Sequence, residues 1–453
     1  MKNNLEIPTI VIGNIAETFV DFLERCDDPV TREELINSEA FLCDRTLVWA
    51  GDPKLVIGSY PIAHQGFITE QLGFHGTTYY APQIPTHYLC RDIANDPNLI
   101  AQILEYAGPK KRVQLIPYAT TPEFLDLAEL LREKYSLTVN TPESPDRDHL
   151  WIRDYIDTKA GFRQLVGTWL PEANRYLPMG VTCTTSRQAG LVVRWFNAKG
   201  KACLVKANTG ENGIGIKIYQ PGHILTLEEI VSQINADSYY SDDVIVVEEC
   251  IVAQQQVSPS LEVFVPHLGA GEPEVTYLSK QLFLEFGDFC GIEVSKYLYE
   301  EPWYESLRQN GLIIANRLQE MGYAGHFDLD CIVDDNGQLY LLEINSRRTG
   351  GTHVHDLAYH IGGQAYIDKL SLLSFEAMSS ETISNASELT DAVREFLYPL
   401  NGDQQTGLVI TVTTTLQYHR FGCLTIAPTP QQALELQKRI GAKIKKYCET
   451  RPA

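Results

Sequence analysis

The stretch Tyr323-Ala-Gly-His-Phe-Asp-Leu-Asp-Cys-Ile-Val-Asp-Asp-Asn-Gly-Gln-Leu-Tyr-Leu-Leu-Glu-Ile-Asn-Ser-Arg-Arg-Thr-Gly-Gly-Thr352 decides how the whole chain is read. Two apolar runs, Phe327 to Val333 and Leu339 to Ile344, flank Asp334-Asp335-Asn336-Gly337, and a turn of that kind between strand runs predicts a hairpin. Glu343 and Asn345 are two apart, so an extended strand points both to one face. Pairing across the turn lets Asp330 reach that face from the neighbouring strand. Two carboxylates and an amide converging there suit a hard divalent cation such as Mg2+, which takes oxygen ligands and leaves room for phosphates. Arg347 and Arg348 follow at once, as a nucleotide or acyl-phosphate site would want. Asp328 can share the face of Asp330 and is a candidate for contacts behind the ligands or with substrate.

Upstream, Ala202 to Tyr219 reads as a strand ending on Lys206, a loop carrying Gly210, Gly213 and Gly215, and a second strand. Glycines let backbone N–H groups approach phosphate oxygens, and a lysine at the loop edge supplies charge. The Walker pattern is absent, and a plain glycine-rich hairpin fits the same residues equally well. Asp243 to Ile251 reads as a buried strand ending in Glu248 and Glu249. Its end could present backbone to an adenine or simply be capped by solvated glutamates. The helix expected over Tyr304 to Met321 leads into the hairpin. Beyond it, His353, His355 and His360 lack the acid or cysteine framework of a transition-metal site, and His353 is kept as a candidate substrate contact.

At the start of the chain, Pro8 to Asn14, Thr46 to Ala50, Leu55 to Ile57 and Val113 to Pro117 read as strands. Helices are expected from Ala16 to Cys26 and from Thr121 to Glu133. The alternation implies an open α/β sheet of Rossmann type. Gly13 stands alone, without the spacing of a dinucleotide loop. Residues 141 to 150 form a polar, proline-bearing boundary. From about residue 381 the chain turns Ser/Asn-rich, and strands at Gly407 to Thr414 and Gly422 to Ala427 precede a helix from Gln431 to Lys445.

The balance of 37 Lys and Arg against 58 Asp and Glu gives a formal net charge of −21, which argues against nucleic acid or anionic membrane as a partner over a broad surface. No apolar run reaches the roughly 20 residues of a spanning helix. The ten cysteines contain no Cys-x-x-Cys and sit mostly in apolar settings, so reduced thiols in a cytoplasmic protein are expected.

In order, Lys159, the Lys206 glycine loop, Glu248-Glu249-Cys250-Ile251, Asp330, Glu343 and Asn345 resemble the ATP-grasp superfamily. Asp330 lies thirteen residues before Glu343, a spacing similar to that of D-alanine–D-alanine ligases. Arg45-Thr-Leu-Val-Trp49, Asp157-Thr-Lys-Ala-Gly-Phe-Arg163, Ser258-Pro-Ser-Leu-Glu262 and the C-terminal strand–strand–helix unit look like the pre-ATP-grasp peptide ligases of the pheganomycin type. The resemblance implies an α/β (α+β) chain: a Rossmann-like pre-ATP-grasp domain over 1–148, an ATP-grasp domain over 149–380 with a small lid at about 180–250, and a C-terminal α+β domain over 381–453.

It also implies an ATP-dependent carboxylate–amine ligase that forms a peptide or amide bond through an acyl phosphate. Lys159, Lys206, Gly210, Gly213 and Gly215 would contact the ATP phosphates, and Glu248, Glu249 and Ile251 the adenine. Asp330, Glu343 and Asn345 would hold two Mg2+ ions, with Mn2+ as a substitute. Arg347, with Lys206, would serve the reaction, and Arg348, Gly351, His353 and Gln281 the substrate. The acid that holds ribose in many relatives is replaced by Ala253-Gln254-Gln255-Gln256, leaving that contact to Glu262 or a glutamine. Small-molecule or peptide substrates and a homodimer follow as expected partners. The competing expectations are an inactive ATP-binding regulatory protein on the same fold and an ATP-grasp enzyme with another acceptor.

Overall fold

Thr9–Ile12 is the middle strand of the first sheet, and its residues divide between two cores. Ile10 and Ile12 pack with Leu55, Ile57, Val113 and Leu115 on one face, while Val11, Val56 and Ile116 join the core on the other. A strand buried on both faces needs this unbroken apolar run, as a parallel sheet covered by helices requires. The computed structural model describes residues 7–63, 65–210, 213–222, 225–240, 244–253, 257–283 and 289–450. Its first sheet comprises β1 (Thr9–Ile12), β2 (Lys54–Ile57), β3 (Thr77–Tyr80), β4 (Arg112–Pro117) and β5 (Thr138–Asn140), all parallel in the order β3-β2-β1-β4-β5. Thr121 caps the helix Pro122–Glu133 by accepting from the Phe124 N–H at 3.1 Å.

One expected strand is not formed. Thr46 to Ala50 overlaps a 3-10 helix, Phe41–Val48, in which the Thr46 hydroxyl bonds the Cys43 carbonyl at 2.5 Å. Ala50 and Gly51 then turn through positive φ, 55° and 72°, which ends any extended run. Leu47, Val48 and Trp49 are buried all the same, so the apolar residues signalled burial and not conformation.

The second sheet is small and antiparallel: β6 (Gly180–Cys183), β7 (Cys203–Ala207), β8 (Ile216–Tyr219) and β9 (Ile245–Glu249), in the order β6-β9-β7-β8. Eight strands form the third: β10 (Pro259–Val265), β11 (Glu274–Phe283), β12 (Phe289–Val294), β13 (Gly325–Val333), β14 (Leu339–Asn345), β15 (Ser371–Ser379), β16 (Gly407–Val412) and β17 (Arg420–Ala427). Their order is β14-β13-β10-β11-β12-β15-β17-β16. The C-terminal strands therefore continue the large sheet through β15, across the boundary expected at residue 380. The helix Pro430–Glu449 packs against β15 and β17. All ten cysteines are free thiols, and among the described residues no helix is long and apolar enough to cross a membrane.

In β13 the period-two pattern is clean: Phe327, Leu329, Cys331 and Val333 enter a core with Leu307, Ile314 and Leu318 of the helix Tyr304–Glu320. The alternate residues His326, Asp328 and Asp330 face the other way. β14 carries an irregularity at Leu342, where the register shifts between the pairs Asp330↔Glu343 and Cys331↔Leu341. That extra residue lets Leu341 and Ile344 both join the core while Glu343 and Asn345 stay on the polar face.

Candidate active site

Pairing in the hairpin sets Asp330 opposite Glu343 and Asp328 opposite Asn345, so four oxygen-bearing side chains form one patch. They line a cleft of about 550 Å3 walled by the large sheet, by elements packed about the parallel sheet, and by β8 and the loop before it, with Gly213, Ile216 and Ile218 from the last. Asp330 accepts from Asn345 Nδ2 and Gln281 Nε2, both at 2.8 Å. Asp328 accepts from the Ser260 hydroxyl and from Thr349 Oγ1, the latter at 2.8 Å. Burial, then Asp328 and Glu343, push the Asp330 carboxyl up to about 8; burial, with Glu262 adding to it, pushes Asp328 up to about 6.

Lys159 is the counter-charge at the edge of this patch. Thr158 caps the helix Lys159–Trp169, and from its first turn Lys159 Nζ reaches Glu343 Oε2 at 2.5 Å and the Gly210 carbonyl at 3.3 Å. Burial opposes ionisation of Glu343, but Lys159 and Lys206 outweigh it and hold the carboxyl low. Lys206, on β7, pairs with Glu248 Oε2 at 2.6 Å, and Arg163 Nη1 takes Glu248 Oε1 at 2.7 Å. The Glu248 side chain is therefore neither a solvated cap nor open to adenine: it is buried between two cations. Glu249 pairs with Lys201 at 2.5 Å, and the Cys250 N–H is spent on the Ala202 carbonyl. Ile251 follows with its N–H bonded to no other residue described.

The glycine loop between β7 and β8 joins this group. Gly213 and Gly215 take φ of 79° and 77°, and a Cβ on Gly215 would come 2.9 Å from that of Ala207, so the turn admits no side chain there. Gln254, Gln255 and Gln256, the alternatives for ribose, lie outside the described residues, as does Asp243.

Arg347 lines the cleft. It bonds Asn345 Oδ1 at 2.9 Å, lies 3.7 Å from Asp157 Oδ1 and packs over the Phe19 ring. Asp157 in turn accepts from the Ser346 N–H and hydroxyl at 2.7 and 2.8 Å, which ties the β14 end to the helix bearing Lys159. Gly351 also lines the cleft, where a Cβ would overlap the Tyr277 hydroxyl.

Besides Glu248 and Glu249, which are tied up in ion pairs, the expected site residues Arg348, Glu262 and His353 do not line this cleft. Arg348 turns the opposite way from Arg347 into a two-pronged pair with Glu143, at 2.8 to 3.0 Å, and reaches Asp356 at 3.3 Å; it ties the end of β14 to the segment that follows β5. Glu262 is fully buried beneath the helix Thr352–Gly362, held by Thr352 Oγ1 at 2.5 Å, Thr276 Oγ1 at 2.8 Å and His326 Nδ1 at 3.0 Å, so it has no surface to offer a ribose. His353 is 2% exposed, and burial together with Arg45 holds its imidazole well below the ordinary range. Conversely, Asp328 and Arg45 line the cleft, Asp157 lies against Arg347, and Arg163 holds Glu248. Asp328 was signalled by its even spacing from Asp330, and Arg45, Asp157 and Arg163 by the motifs they belong to, though none of these three was given a role there.

The donor set can be tested against Mg2+. Among the described residues no three acids, histidines or cysteines form a ready-made metal cage. The patch is instead two facing carboxylates and an amide on an open strand end, and a half-buried Asp330 crowded by two other acids is a group that gains from a cation. Mg2+ keeps waters and substrate phosphates in its own shell, so this partial set fits it.

No protein-family model and no curated protein matches the chain. Solved structures do. The biotin carboxylase domain of Hydrogenobacter thermophilus 2-oxoglutarate carboxylase, in complex with MgADP, ADP and bicarbonate, superposes with a TM-score of 0.54 at 13% identity, over 95% of this chain and 89% of that one. N5-carboxyaminoimidazole synthetase from Staphylococcus aureus, with ADP, gives 0.53 at 11% identity over 98% of each chain. The Aspergillus clavatus N5-carboxyaminoimidazole synthase, with ADP and 5-aminoimidazole ribonucleotide, gives 0.50 at 10% identity over 97% and 99%. Likeness along nearly the whole length, at identities this low, establishes the fold: the chain has the ATP-grasp fold.

Proposed function

We propose that the protein is an ATP-dependent carboxylate–amine ligase that joins an amino acid or modified amino acid to the amine of an amino acid or peptide. The observation that carries the reading is the convergence of Asp330, Glu343 and Asn345 with Lys159, Lys206 and Arg347 around one interdomain cleft. Lys159 and Lys206 bind the ATP phosphates, and the backbone from Glu249 to Ile251 takes the adenine. Mg2+, as two ions or with Mn2+ in their place, is held by Asp330, Glu343 and Asn345 and supplies charge neutralisation at the transferred phosphoryl group. A carboxylate oxygen attacks the γ-phosphorus and ADP leaves. The amine nitrogen then attacks the acyl carbonyl, phosphate leaves, and an amide is formed. Arg347 holds the acyl-phosphate oxygens, and the segment around Gly210, Gly213 and Gly215 covers them from water. A homodimer is the proposed assembly.

A second reading has an observation of its own. The Hydrogenobacter structure holds bicarbonate, and the Aspergillus one an aminoimidazole ribonucleotide, so the acid could be bicarbonate and the product a carbamate. Phosphate release screened over acid–amine pairs, with product masses, decides between them. An amide mass with one pair establishes the ligase. Release that depends on bicarbonate alone establishes the carboxylating reaction, and no release with any pair refutes both.

A further inference from the structure

The motif Arg45-Thr-Leu-Val-Trp49 has no part in the chemistry above, yet the residues at both its ends line the cleft. Trp49 is wholly buried, and its Nε1–H, the one polar group of that side chain, has no hydrogen-bond partner among the described residues. The Tyr118 ring stacks on it at 6.0 Å and the Arg348 guanidinium lies 5.4 Å from its centroid, so the indole is held in place. Arg45 is 6% exposed, and its Nε–H is likewise without a partner. Folded proteins pair nearly all of their buried donors, so two left open in one short motif beside a cleft mark where a ligand supplies the acceptors. The neighbours set the charge of those acceptors. Arg45 Nη2 lies 2.8 Å from Glu376 Oε1, and Glu39 lines the same cleft, so a further carboxylate at Arg45 would meet repulsion. A neutral carbonyl oxygen accepts the same hydrogen bonds without it.

We propose that Trp49 Nε1 and Arg45 Nε determine specificity by donating to uncharged carbonyl oxygens of the amine substrate. The amine then belongs to an amide or a peptide, and not to an amino acid with a free α-carboxylate. Ile15, Phe19 and Leu42 line the cleft as well and give its apolar portion a surface. A site built to hydrogen-bond a substrate group rejects analogues that lack it, because its own buried donors are then left unpaired. The proposal rests on the ligase reading and narrows it, from any amino acid or peptide amine to one that carries a neutral carbonyl.

The test uses probes that share an ammonium and a phenyl ring: L-phenylalaninamide with a neutral carbonyl, phenethylamine with none, and L-phenylalanine with a carboxylate. Each is titrated by calorimetry into the full chain with MgADP present. The wild-type protein is expected to bind the amide at least about tenfold more tightly than phenethylamine, the factor that one hydrogen bond to such donors provides. Trp49→Phe, which keeps a ring and removes the N–H, and Arg45→Met should each erase most of that preference and leave L-phenylalanine binding as before. Equal binding of the amide and phenethylamine by the wild-type protein, or binding of neither, overturns the subsite, as does an undiminished preference in the double variant. A loss of L-phenylalanine binding that matches the loss for the amide overturns the neutral acceptor. The wild-type comparison decides even where a variant does not fold. Hydroxylamine trapping over the acids of the phosphate-release screen tests the parent reading separately, because it reports the acyl phosphate without a carbonyl-bearing amine. A carbonyl preference without ATP-dependent hydroxamate leaves the subsite standing and removes the ligase. Hydroxamate without a carbonyl preference does the reverse.

Discussion

His326 should give the fold a pH signature that can be read quantitatively. It is 5% exposed on β13, with Nδ1 3.0 Å from Glu262 Oε1 and Nε2 3.6 Å from Glu143 Oε2. Burial and Arg348 push the imidazole down, but Glu262 and Glu143 prevail and raise it to about 9. Against an unfolded value of about 6.5, the gap of about 2.5 pH units corresponds to about 3 kcal/mol. Because the folded value is the higher one, this stability is fully present below about pH 6.5 and is lost as pH rises through about 9. Lys54, pushed down to about 7 by burial, slopes the other way, so the wild-type curve alone would mislead. The informative quantity is the difference between the wild-type protein and His326→Gln, in which the Lys54 contribution cancels. At pH 6 the variant should melt lower by about 6 °C, taking roughly 2 °C per kcal/mol for a chain of this size, and the gap should close toward pH 9.5. Thermal melts followed by circular dichroism over that range measure it. A gap that does not change with pH refutes the claim that His326 sits charged between two carboxylates.

Other substitutions probe the site itself. Glu343→Gln, which removes the charge partner of Lys159 and one oxygen donor, should lower ADP release at least about a hundredfold while the chain still folds, as its circular dichroism at 25 °C would show; near-normal release would take Glu343 out of the metal set. Glu248→Ala leaves the buried Lys206 and the half-buried Arg163 without their carboxylate and should cost about 3–5 kcal/mol of stability. Urea unfolding and ATP calorimetry should both register that loss, and unchanged curves would refute it. Asp328→Asn removes one of the crowded acids beside Asp330 and should raise the Mg2+ concentration for half-maximal ADP release about tenfold. An unshifted Mg2+ titration would return Asp328 to a structural role.

Much of the site was legible because strand geometry is local. The alternation Phe327, Leu329, Cys331, Val333 against Asp328 and Asp330 follows from a period of two, and the Asp334 to Gly337 turn places the second strand. The same reasoning put Glu343 and Asn345 on one face without any knowledge of the rest of the chain. The period of two also let Asp328 share that face, and only the family resemblance set Asp330 above it; both aspartates line the cleft, each opposite one residue of β14. The irregularity at Leu342 left no trace in the pattern, since an extra residue in an apolar run changes neither its composition nor its length appreciably.

Partnership was the part decided in three dimensions. Arg347 and Arg348 are adjacent and chemically identical, yet one enters the cleft and the other is consumed by Glu143, 205 residues away in the chain. Glu248 and Glu262 looked like ligand-facing acids until Arg163, Lys206 and His326 came to rest on them. A carboxylate advertises its charge in the sequence, but whether that charge is free for a ligand depends on which buried cation lies within about 3 Å, a distance only the folded chain sets. The amino-acid sequence by itself therefore determined the hairpin, the face of its acids and the chemistry those acids can support. The tertiary structure decided which charges are spent within the protein and which are left facing the cleft.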